Sequence, residues 1–245
     1  MGDPGIAMIT GAAGTMGTAA AQGLASEGTK IVLADLKREP LEELAEELPV
    51  ETFISVFDVS DEHACREAVA HVQNEFGTID ILVNNAGILS NNKLMSTSSE
   101  EWRRVMATNL DSAFFLTQAC IPAMKANGWG RVINVSSFAA KCGGITAGTA
   151  YSVSKGAMIA LTYSVAAETA DSGVTVNAIT PAYVRTPMVS EQLTAEQREA
   201  VVRKIPVHRY CEPEEFAHVV CFLASPKAGF ITGEVVDLNG GLQFD

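Results

Sequence analysis

The chain has 245 residues, of which 47% are hydrophobic and 19% charged, and its formal net charge at pH 7 is −12. So acidic a chain lacks the clustered lysine and arginine that nucleic acid or an anionic membrane requires, and no apolar run approaches the roughly 18 residues of a membrane span. The five cysteines are scattered and form no CxxC pattern, so we expect no disulfide framework, no metal site and a cytoplasmic location.

Short apolar runs alternate with longer helical segments along the whole chain. The predicted strands cover residues 6–10, 31–35, 53–58, 79–84, 132–135, 174–179 and 234–238. The predicted helices cover residues 15–26, 41–48, 62–76, 100–126, 151–170 and 214–224, and the fourth of them is expected to bend near Pro122.

This order predicts one α/β domain over residues 1–245. Parallel strands need crossover connections, which are usually helices, and nearly continuous Val/Ile/Leu strands are typical of a sheet that is covered on both faces. We therefore expect a doubly wound, Rossmann-type parallel sheet of seven strands with helices on both faces. The irregular stretch 183–206 follows the sixth strand, and we place a substrate flap around residues 183–210.

A glycine-rich turn, TGAAGTMG at residues 10–17, follows the first strand. Gly11 permits a tight turn, and small residues let the backbone approach a pyrophosphate at the N-terminus of the next helix. Many turns are rich in glycine for backbone reasons alone. The position of this one, between a strand and a small-residue helix, favours a dinucleotide site.

Asp35 ends the second predicted strand, 24 positions after Gly11. A carboxylate there can accept hydrogen bonds from the adenosine ribose hydroxyls and would repel a 2′-phosphate, which favours NAD over NADP. The alternative is a solvated carboxylate at a strand end, and Lys37 or Arg38 could swing toward a phosphate.

Tyr151 and Lys155 lie four positions apart on a predicted helix, so they share a face. A free phenol has a pKa near 10 and is a poor base at neutral pH. An ammonium about 4 Å away is worth about 4 kcal/mol at an effective dielectric of about 20, which could lower the phenol pKa by up to about 3. The pair can therefore donate and accept a proton, although such a spacing often marks only a helix face.

Polar residues at strand ends strengthen this hypothesis. Ser137 ends the fifth strand, the sequence NNAG at residues 84–87 ends the fourth, and Asn109 lies in the long helix between them. Ligands bind at the carboxyl ends of the strands in a doubly wound sheet, where polar groups are expected. Taken singly, Ser137 would be a turn residue or helix cap and Asn109 a satisfied polar group of a helix.

With these motifs in order, the chain resembles the short-chain dehydrogenase/reductases, which are single-domain NAD(P)-dependent oxidoreductases. The motifs are the glycine turn at 10–17, Asp58–Val59, NNAG at 84–87, Asn109, Ser137, Tyr151 to Lys155, Asn177 and the segment 181–188. The resemblance covers nearly the whole chain, and it implies hydride transfer between the cofactor and a carbon that bears oxygen.

The resemblance implies a role for each site residue. Tyr151 is the general acid/base, Ser137 orients the substrate oxygen, and Lys155 binds the nicotinamide ribose and lowers the pKa of Tyr151. Asn109 holds a water that links Lys155 to solvent. The residues expected to bind the cofactor are Gly11, Gly14, Thr15, Met16, Gly17, Asp35, Leu36, Asp58, Val59, Asn85, Ala86, Gly87, Tyr151, Lys155, Pro181, Val184 and Thr186.

The chain departs from the family pattern at three places. Thr15 stands where the middle glycine of the turn is usual, which puts pyrophosphate affinity in doubt. Ala182 replaces the glycine of the usual Pro-Gly, and this change could reshape the nicotinamide pocket. Ser137 and Tyr151 are 14 positions apart, one more than close relatives would have, and the loop between them could absorb the difference.

Within the family, the chain resembles bacterial 3-oxoacyl-carrier-protein reductases and related alcohol, polyol and sugar dehydrogenases. Those reductases generally use NADPH, so Asp35 favours NAD(H) and a secondary alcohol or ketone as substrate. The alternatives are a 3-oxoacyl-carrier-protein or acyl-CoA reductase and a noncatalytic dinucleotide sensor. A basic patch for an acidic acyl carrier could come from Arg103, Arg104, Lys125 and Arg131.

Substrate selection is expected to fall to residues 138–148 and 183–210. The candidates within them are Cys142, Tyr183, Met188 and His208, each of which could equally be a core or surface residue. The resemblance also implies a homotetramer, with the helices predicted at 100–126 and 151–170 in one interface and the C-terminal strand and tail in the other.

Overall fold

The computed structural model describes residues 5–186 and 194–244 and has a seven-stranded parallel sheet at its centre. The strands are β1 (Ile6–Thr10), β2 (Lys30–Asp35), β3 (Thr52–Val56), β4 (Ile81–Asn84), β5 (Gly130–Val135), β6 (Val174–Pro181) and β7 (Val235–Leu238). Their order across the sheet is β3-β2-β1-β4-β5-β6-β7, and all neighbours are parallel. The predicted doubly wound sheet is confirmed.

Helices cover both faces of this sheet. They are α1 (Thr15–Ser26), α2 (Arg38–Glu47), α3 (Glu62–Glu75), α4 (Ser99–Met106), α5 (Ser112–Asn127), α6 (Ala139–Cys142), α7 (Thr149–Thr169), α8 (Ala195–Lys204) and α9 (Pro213–Ala224). Short 3-10 turns occur at Leu94–Ser96, Ala170–Ser172 and Pro226–Ala228.

Strand β1 shows how the sequence produces two cores. Its five residues IAMIT are all buried, and successive side chains of a strand point to opposite faces. Ala7 and Ile9 accordingly pack into the core that includes Leu24 of α1 and Phe216 of α9. Met8 packs into the second core on the other face, which includes residues of α3 and α5.

The strand order reverses between β1 and β4, the central pair of the sheet. The chain runs outward from β1 through β2 to β3 and then returns to add β4 on the other side of β1. The loops after β1 and β4 therefore leave the sheet in opposite directions and open a crevice at its carboxyl edge, where ligands bind in such folds.

The helix predicted at 100–126 is interrupted rather than continuous. A π-helical turn, Ala107–Asp111, separates α4 from α5, and the backbone N–H of Ser112 bonds to the carbonyl of Ala107. Pro122 lies inside α5. A π-turn inserts an extra residue into a helix and is frequent at functional sites, and hydrophobic periodicity does not reveal it.

The expectation of an irregular stretch over residues 183–206 was wrong for its second half, which contains α8. This helix is rich in Ala, Glu, Gln, Lys and Arg, all good helix formers, but it lacks the apolar stripe on which the prediction relied. Residues 187–193 of the expected flap, including Met188, lie outside the described residues.

Candidate active site

A cleft of about 1170 Å³ opens at the carboxyl edge of the sheet. Its walls come from the segments that follow six of the strands, β1 to β6. Every residue predicted to act in catalysis or cofactor binding, except Asn109, lines this cleft. The sheet therefore gathers residues that are far apart in sequence around a single cavity.

The glycine turn forms the floor of one end. Gly11 has φ +64°, a left-handed conformation that favours glycine, and a Cβ on Gly17 would lie 2.2 Å from the carbonyl oxygen of Gly11. Gly14 precedes α1, and no side chain caps the first turn of that helix. The uncapped first amides of α1 and the lack of side chains at Gly11, Gly14 and Gly17 make a cradle that fits a pyrophosphate.

Asp35 stands beside this turn at the end of β2. Its Oδ2 accepts a hydrogen bond from the N–H of Ala13 at 3.1 Å, and its Oδ1 accepts one from the N–H of Leu36 at 2.7 Å. These bonds fix the carboxylate at the wall of the cleft, where Asp58 and Val59 also lie.

The NNAG segment is held against the end of β1. The Oγ1 of Thr10 accepts the N–H groups of Asn85 and Ala86 at 3.1 and 3.0 Å, and the side-chain amide of Asn85 donates to the carbonyls of Thr10 and Gly11 at 2.9 and 3.2 Å. The side chain of Asn85 thus stabilises the glycine turn, while the segment as a whole lines the cleft.

Ser137 and Tyr151 come together from β5 and α7. Their hydroxyls share a hydrogen bond, and the Oγ of Ser137 also accepts the N–H of Ala139 at 3.1 Å. Burial raises the pKa of the Tyr151 hydroxyl above its ordinary value, and the bond to Ser137 lowers it. The net direction is upward, so the phenol keeps its proton at neutral pH.

Lys155 is buried one helical turn beyond Tyr151. Its Nζ donates to the carbonyl of Val135 at 2.6 Å, and burial lowers the pKa of the ammonium to about 8. The expected fall in the pKa of Tyr151 is not found, because burial disfavours the phenolate and outweighs the bond to Ser137.

Asn109 lies in the π-turn and is fully buried behind the cleft. Its side-chain amide exchanges two hydrogen bonds with the backbone of Ile88, at 2.8 and 3.0 Å, and also donates to Ser154 at 3.1 Å. A Cβ added to Gly87 would lie 3.3 Å from both the Asn109 Oδ1 and the Lys155 Nζ. Asn109 and Lys155 therefore converge on the wall formed by Gly87.

Comparisons with known proteins point to the same kind of site. The family described as enoyl-(acyl carrier protein) reductase matches residues 11–243. The nodulation protein G of Azospirillum brasilense is 40% identical over 98% of each chain. A 3-oxoacyl-(acyl-carrier-protein) reductase of Thermotoga maritima is 37% identical over 97% of each. The chain belongs to the short-chain dehydrogenase/reductase family.

A solved structure of this short-chain dehydrogenase/reductase fold extends the comparison. A protein from Agrobacterium tumefaciens, provisionally assigned as a gluconate dehydrogenase, superposes with a TM-score of 0.93 at 30% identity, over 97% of this chain and 95% of that one. The prediction of an oxidoreductase that acts on CH–OH groups with a nicotinamide cofactor is confirmed at this level.

The departures from the family pattern have structural explanations. Thr15 is the first residue of α1 and does not have a positive φ, so its side chain causes no backbone strain, and Gly14 before it has φ −81°. Ala182 is buried and donates its N–H to the carbonyl of Leu238 at 2.9 Å. The longer loop after Ser137 forms α6 and then two left-handed glycines, Gly143 and Gly144.

The far end of the cleft is formed by residues after β6. Pro181, Val184 and Thr186 line it as expected, and the candidates Cys142 and Tyr183 line it too, whereas His208 does not. Tyr183 has φ +50°, which is uncommon for a residue with a side chain and is typical of functional sites.

Sequence reasoning missed several residues of the wall. Most of them lie beside the recognised motifs, next to the carboxyl ends of β3, β4 and β5, and position at a strand end was the signal that could have found them. The missed residues are Phe57, Ser60, Ile88, Leu89, Asn91, Thr108, Val135 and Ser136.

Two of the four residues suggested for a basic patch are engaged elsewhere. Arg131 is buried and its guanidinium bonds to the backbone carbonyls of Gly130, Gly173 and Ser225, and the Nζ of Lys125 donates to the carbonyl of Glu168. Within residues 5–186 and 194–244, no helix is long and apolar enough to cross a membrane. The same residues contain no group of three His, Cys, Asp or Glu placed to hold a metal.

Proposed function

We propose that the chain transfers a hydride between NAD(H) and a secondary alcohol or its ketone, with Tyr151 as the general acid/base. The observation that carries this proposal is the hydrogen-bonded pair of Tyr151 and Ser137 hydroxyls in the wall of the cleft. Two hydroxyls that share a hydrogen bond are suited to hold one substrate oxygen between them.

The cradle around the glycine turn fits a dinucleotide. When bound, the nicotinamide supplies the hydride donor or acceptor. Gly11, Gly17 and the first amides of α1 would hold the pyrophosphate, and Asp35 would accept the adenosine ribose hydroxyls. Asp58–Val59, Asn85 to Gly87, Pro181, Val184 and Thr186 would complete the cofactor wall.

Tyr151 moves the proton in this proposal. In ketone reduction its hydroxyl donates a proton to the carbonyl oxygen as the carbon receives a hydride, and in alcohol oxidation both transfers reverse. The raised pKa of the Tyr151 phenol keeps it protonated at neutral pH, as reduction requires. Ser137 orients the substrate oxygen and Lys155 binds the nicotinamide ribose. Asn109 would hold the water that connects Lys155 to solvent through an oxygen atom, because both donors of its side-chain amide are engaged.

Preference for NAD over NADP rests on Asp35. Its carboxylate is fixed by the N–H groups of Ala13 and Leu36 and would face a 2′-phosphate with like charge. The change Asp35→Asn keeps an oxygen acceptor and removes only the charge. We expect wild type to prefer NAD(H) and Asp35→Asn to raise the relative kcat/KM for NADP(H) by about tenfold, roughly 1.4 kcal/mol.

The matched control is Asp61→Asn. Asp61 caps α3 and does not line the cleft, so this variant should leave the cofactor ratio unchanged. The assay follows reduced-cofactor absorbance with a panel of polyols, cyclic alcohols and 3-oxoacyl thioesters. A wild-type preference for NADP(H) would contradict the role of Asp35, and NADH binding without any turnover would favour the sensor alternative.

A second candidate is a 3-oxoacyl thioester reductase. It is favoured by the relatives, which include the Thermotoga reductase and an acetoacetyl-CoA reductase from Shinella zoogloeoides that is 36% identical over 98% of each chain. Higher kcat/KM for a 3-oxoacyl thioester than for every alcohol in the panel would select this candidate.

We also propose a homotetramer. Helices α5 and α7 expose Phe114, Val153 and Tyr163, and the C-terminal tail exposes Phe244, which are large apolar groups that an interface would cover. Light scattering should give four times the 25.9 kDa of one chain, and the mass of one chain would contradict the tetramer. The substrate flap around 183–210 and the cytoplasmic location stay predictions.

A further inference from the structure

The segment 143–148, which we name the substrate loop, forms one wall of the cleft next to Ser137. It begins with the left-handed Gly143 and Gly144, and Ile145 and Thr146 lie at the edge of the cavity. Ile145 is 64% exposed at the tip of the loop, whereas Gly144, Ala147 and Gly148 are buried at its two ends. Contacts at these ends therefore decide where the tip lies.

Lys93 supplies those contacts. Its Nζ donates to the carbonyl of Gly144 at 2.7 Å and to the carbonyl of Ala147 at 2.6 Å. One ammonium thus closes both ends of the turn that presents Ile145 and Thr146. Hydrogen bonds from a charged donor are about twice as strong as neutral ones, so this contact can fix the exposed tip between its two buried ends.

The backbone beside Lys93 holds the end of the same loop. The N–H of Gly148 donates to the carbonyl of Ser90 at 2.6 Å, and the N–H of Thr149 donates to that of Asn92 at 3.0 Å. A Cβ on Gly148 would lie 2.4 Å from the Asn92 oxygen, so the two chain segments touch directly. The chain segment that leads to Lys93 is therefore in contact with the start of α7.

The chain segment that leads to Lys93 is also hydrogen-bonded to α4. The carboxylate of Glu101 accepts the Ser90 hydroxyl through one oxygen and the Asn92 side-chain amide, at 2.8 Å, through the other. Lys93 therefore extends from a segment fixed at two points. Because the backbone at Lys93 is already fixed, its ammonium loses less conformational entropy when it binds the substrate loop.

The substrate loop also meets the opposite wall of the cleft. The hydroxyl of Tyr183 is hydrogen-bonded to the side chain of Thr146. Tyr183 has the uncommon φ of +50°, and Val184 after it pairs with Cys211. A shift of the substrate loop would therefore also move Tyr183, on the opposite wall of the cleft.

We propose that Lys93 is a positioning residue that fixes the width of the substrate end and so selects ketone substrates by size. This inference rests on the proposed function, since it takes the cleft next to Ser137 and Tyr151 as the place where the ketone binds. Lys93 touches no reacting atom. It acts through Ile145, Thr146 and Tyr183.

The test compares Lys93→Met, Lys93→Arg and Lys125→Met with wild type. Met removes the donors but keeps most of the apolar stem, and Arg restores a charged donor. Lys125 is a matched control because its Nζ also donates to a backbone carbonyl, that of Glu168 at 2.8 Å, outside the cleft. The probes are NADH with ethyl acetoacetate and with the longer ethyl 3-oxooctanoate.

We expect Lys93→Met to raise the KM for the ketones by about tenfold and to leave the KM for NADH within about twofold. The ratio of kcat/KM between the two esters should be about fivefold closer to one in this variant than in wild type, because a loosened loop discriminates less by substrate size. Lys93→Arg should recover most of the discrimination, and Lys125→Met should behave as wild type. Hydrogen exchange should show faster exchange at Gly148 and Thr149 in Lys93→Met only.

An unchanged ester ratio with an unchanged ketone KM in Lys93→Met would overturn this inference, and so would equal losses for both esters and NADH. If wild type reduces neither ester with NADH or NADPH, the ketone reductase proposal fails instead. In that case the hydrogen-exchange measurement alone tests whether Lys93 fixes the substrate loop. Unchanged exchange rates at Gly148 and Thr149 in Lys93→Met would overturn this role.

Discussion

The ammonium of Lys155 donates a hydrogen bond to the main-chain carbonyl of Val135 at 2.6 Å. Val135 is the last residue of β5, so this bond ties α7 to the strand that leads to Ser137. The lysine thereby holds the helix that carries Tyr151 at a set distance from the sheet. The bond accounts for a buried ammonium without a carboxylate partner, since a carbonyl oxygen satisfies one of its donors.

The lowered pKa of Lys155 predicts a pH dependence for cofactor binding. The side chain is charged below its pKa of about 8 and neutral above it, because burial disfavours the ammonium. If the ammonium binds the nicotinamide ribose, the dissociation constant of NADH should be constant below pH 8 and rise above it, by about tenfold per pH unit at the limit.

Fluorescence titration with NADH from pH 6.5 to 9.5 checks this dependence. The variant Lys155→Met should bind NADH more weakly and show no change across this range. A wild-type dissociation constant that stays flat up to pH 9.5 would show that the charge of Lys155 takes no part in binding.

Gly87 predicts a steric effect on the site. The change Gly87→Ala places a Cβ 3.3 Å from both Asn109 Oδ1 and Lys155 Nζ, closer than most such contacts. The neighbouring polar groups must give by a few tenths of an ångström. Because misplacement of about 1 Å can cost about 100-fold in rate, we expect this smaller shift to lower kcat/KM by about tenfold.

Gly156→Ala is the control for this substitution. Gly156 lies within α7, and the nearest atom to its added Cβ is the Ala140 oxygen at 4.0 Å. Alanine in a helix interior is favoured over glycine by about 0.5–1 kcal/mol, so this variant should melt slightly higher and keep its activity. Equal kcat/KM values for Gly87→Ala and Gly156→Ala would show that Asn109 and Lys155 do not both need the space beside Gly87.

A partly buried ion pair supports the segment after Ser137. The Nζ of Lys141, on α6, lies 2.9 Å from Oδ2 of Asp237 on β7, and the two side chains are 14% and 21% exposed. Asp237 also accepts the hydroxyl of Thr180. The change Asp237→Asn should lower kcat/KM for the ketone about fivefold, roughly 1 kcal/mol, by loosening α6 beside Ser137.

The exposed pair of Lys30 and Glu51, at 2.7 Å, provides the comparison for that variant. Exposed pairs contribute about 0–1 kcal/mol, and this one lies away from the cleft, so Glu51→Gln should leave kcat/KM unchanged. Steady-state kinetics on both variants decide the matter, and full activity in Asp237→Asn would exclude a supporting role for the ion pair.

Local sequence patterns were sufficient to predict the alternating architecture. The strands β1 to β7 are short apolar runs, and the motifs follow their carboxyl ends, so parallel order alone brings Gly11, Asp35, Ser137 and Tyr151 to one edge. The glycines of the turn were also predictable, because the left-handed backbone at Gly11 is a local property.

The features that escaped prediction depend on contacts between distant segments. The π-turn at Asn109 is held by hydrogen bonds to Ile88 and Ser154, and the substrate loop is held by Lys93, about 50 positions earlier. Nothing in the spacing of these residues indicates their contacts. The upward pKa of Tyr151 likewise follows from burial, which a pair of residues on a helix does not disclose.

Turnover by the variant Tyr151→Phe tests the central claim most directly. Its control is Tyr163→Phe, which removes the hydroxyl of an exposed tyrosine on the same helix. We predict that Tyr151→Phe lowers kcat about 10²- to 10⁴-fold, the usual contribution of general acid/base catalysis, with the NADH dissociation constant and melting temperature close to those of wild type and Tyr163→Phe. A Tyr151→Phe enzyme that keeps most of its rate would contradict the account.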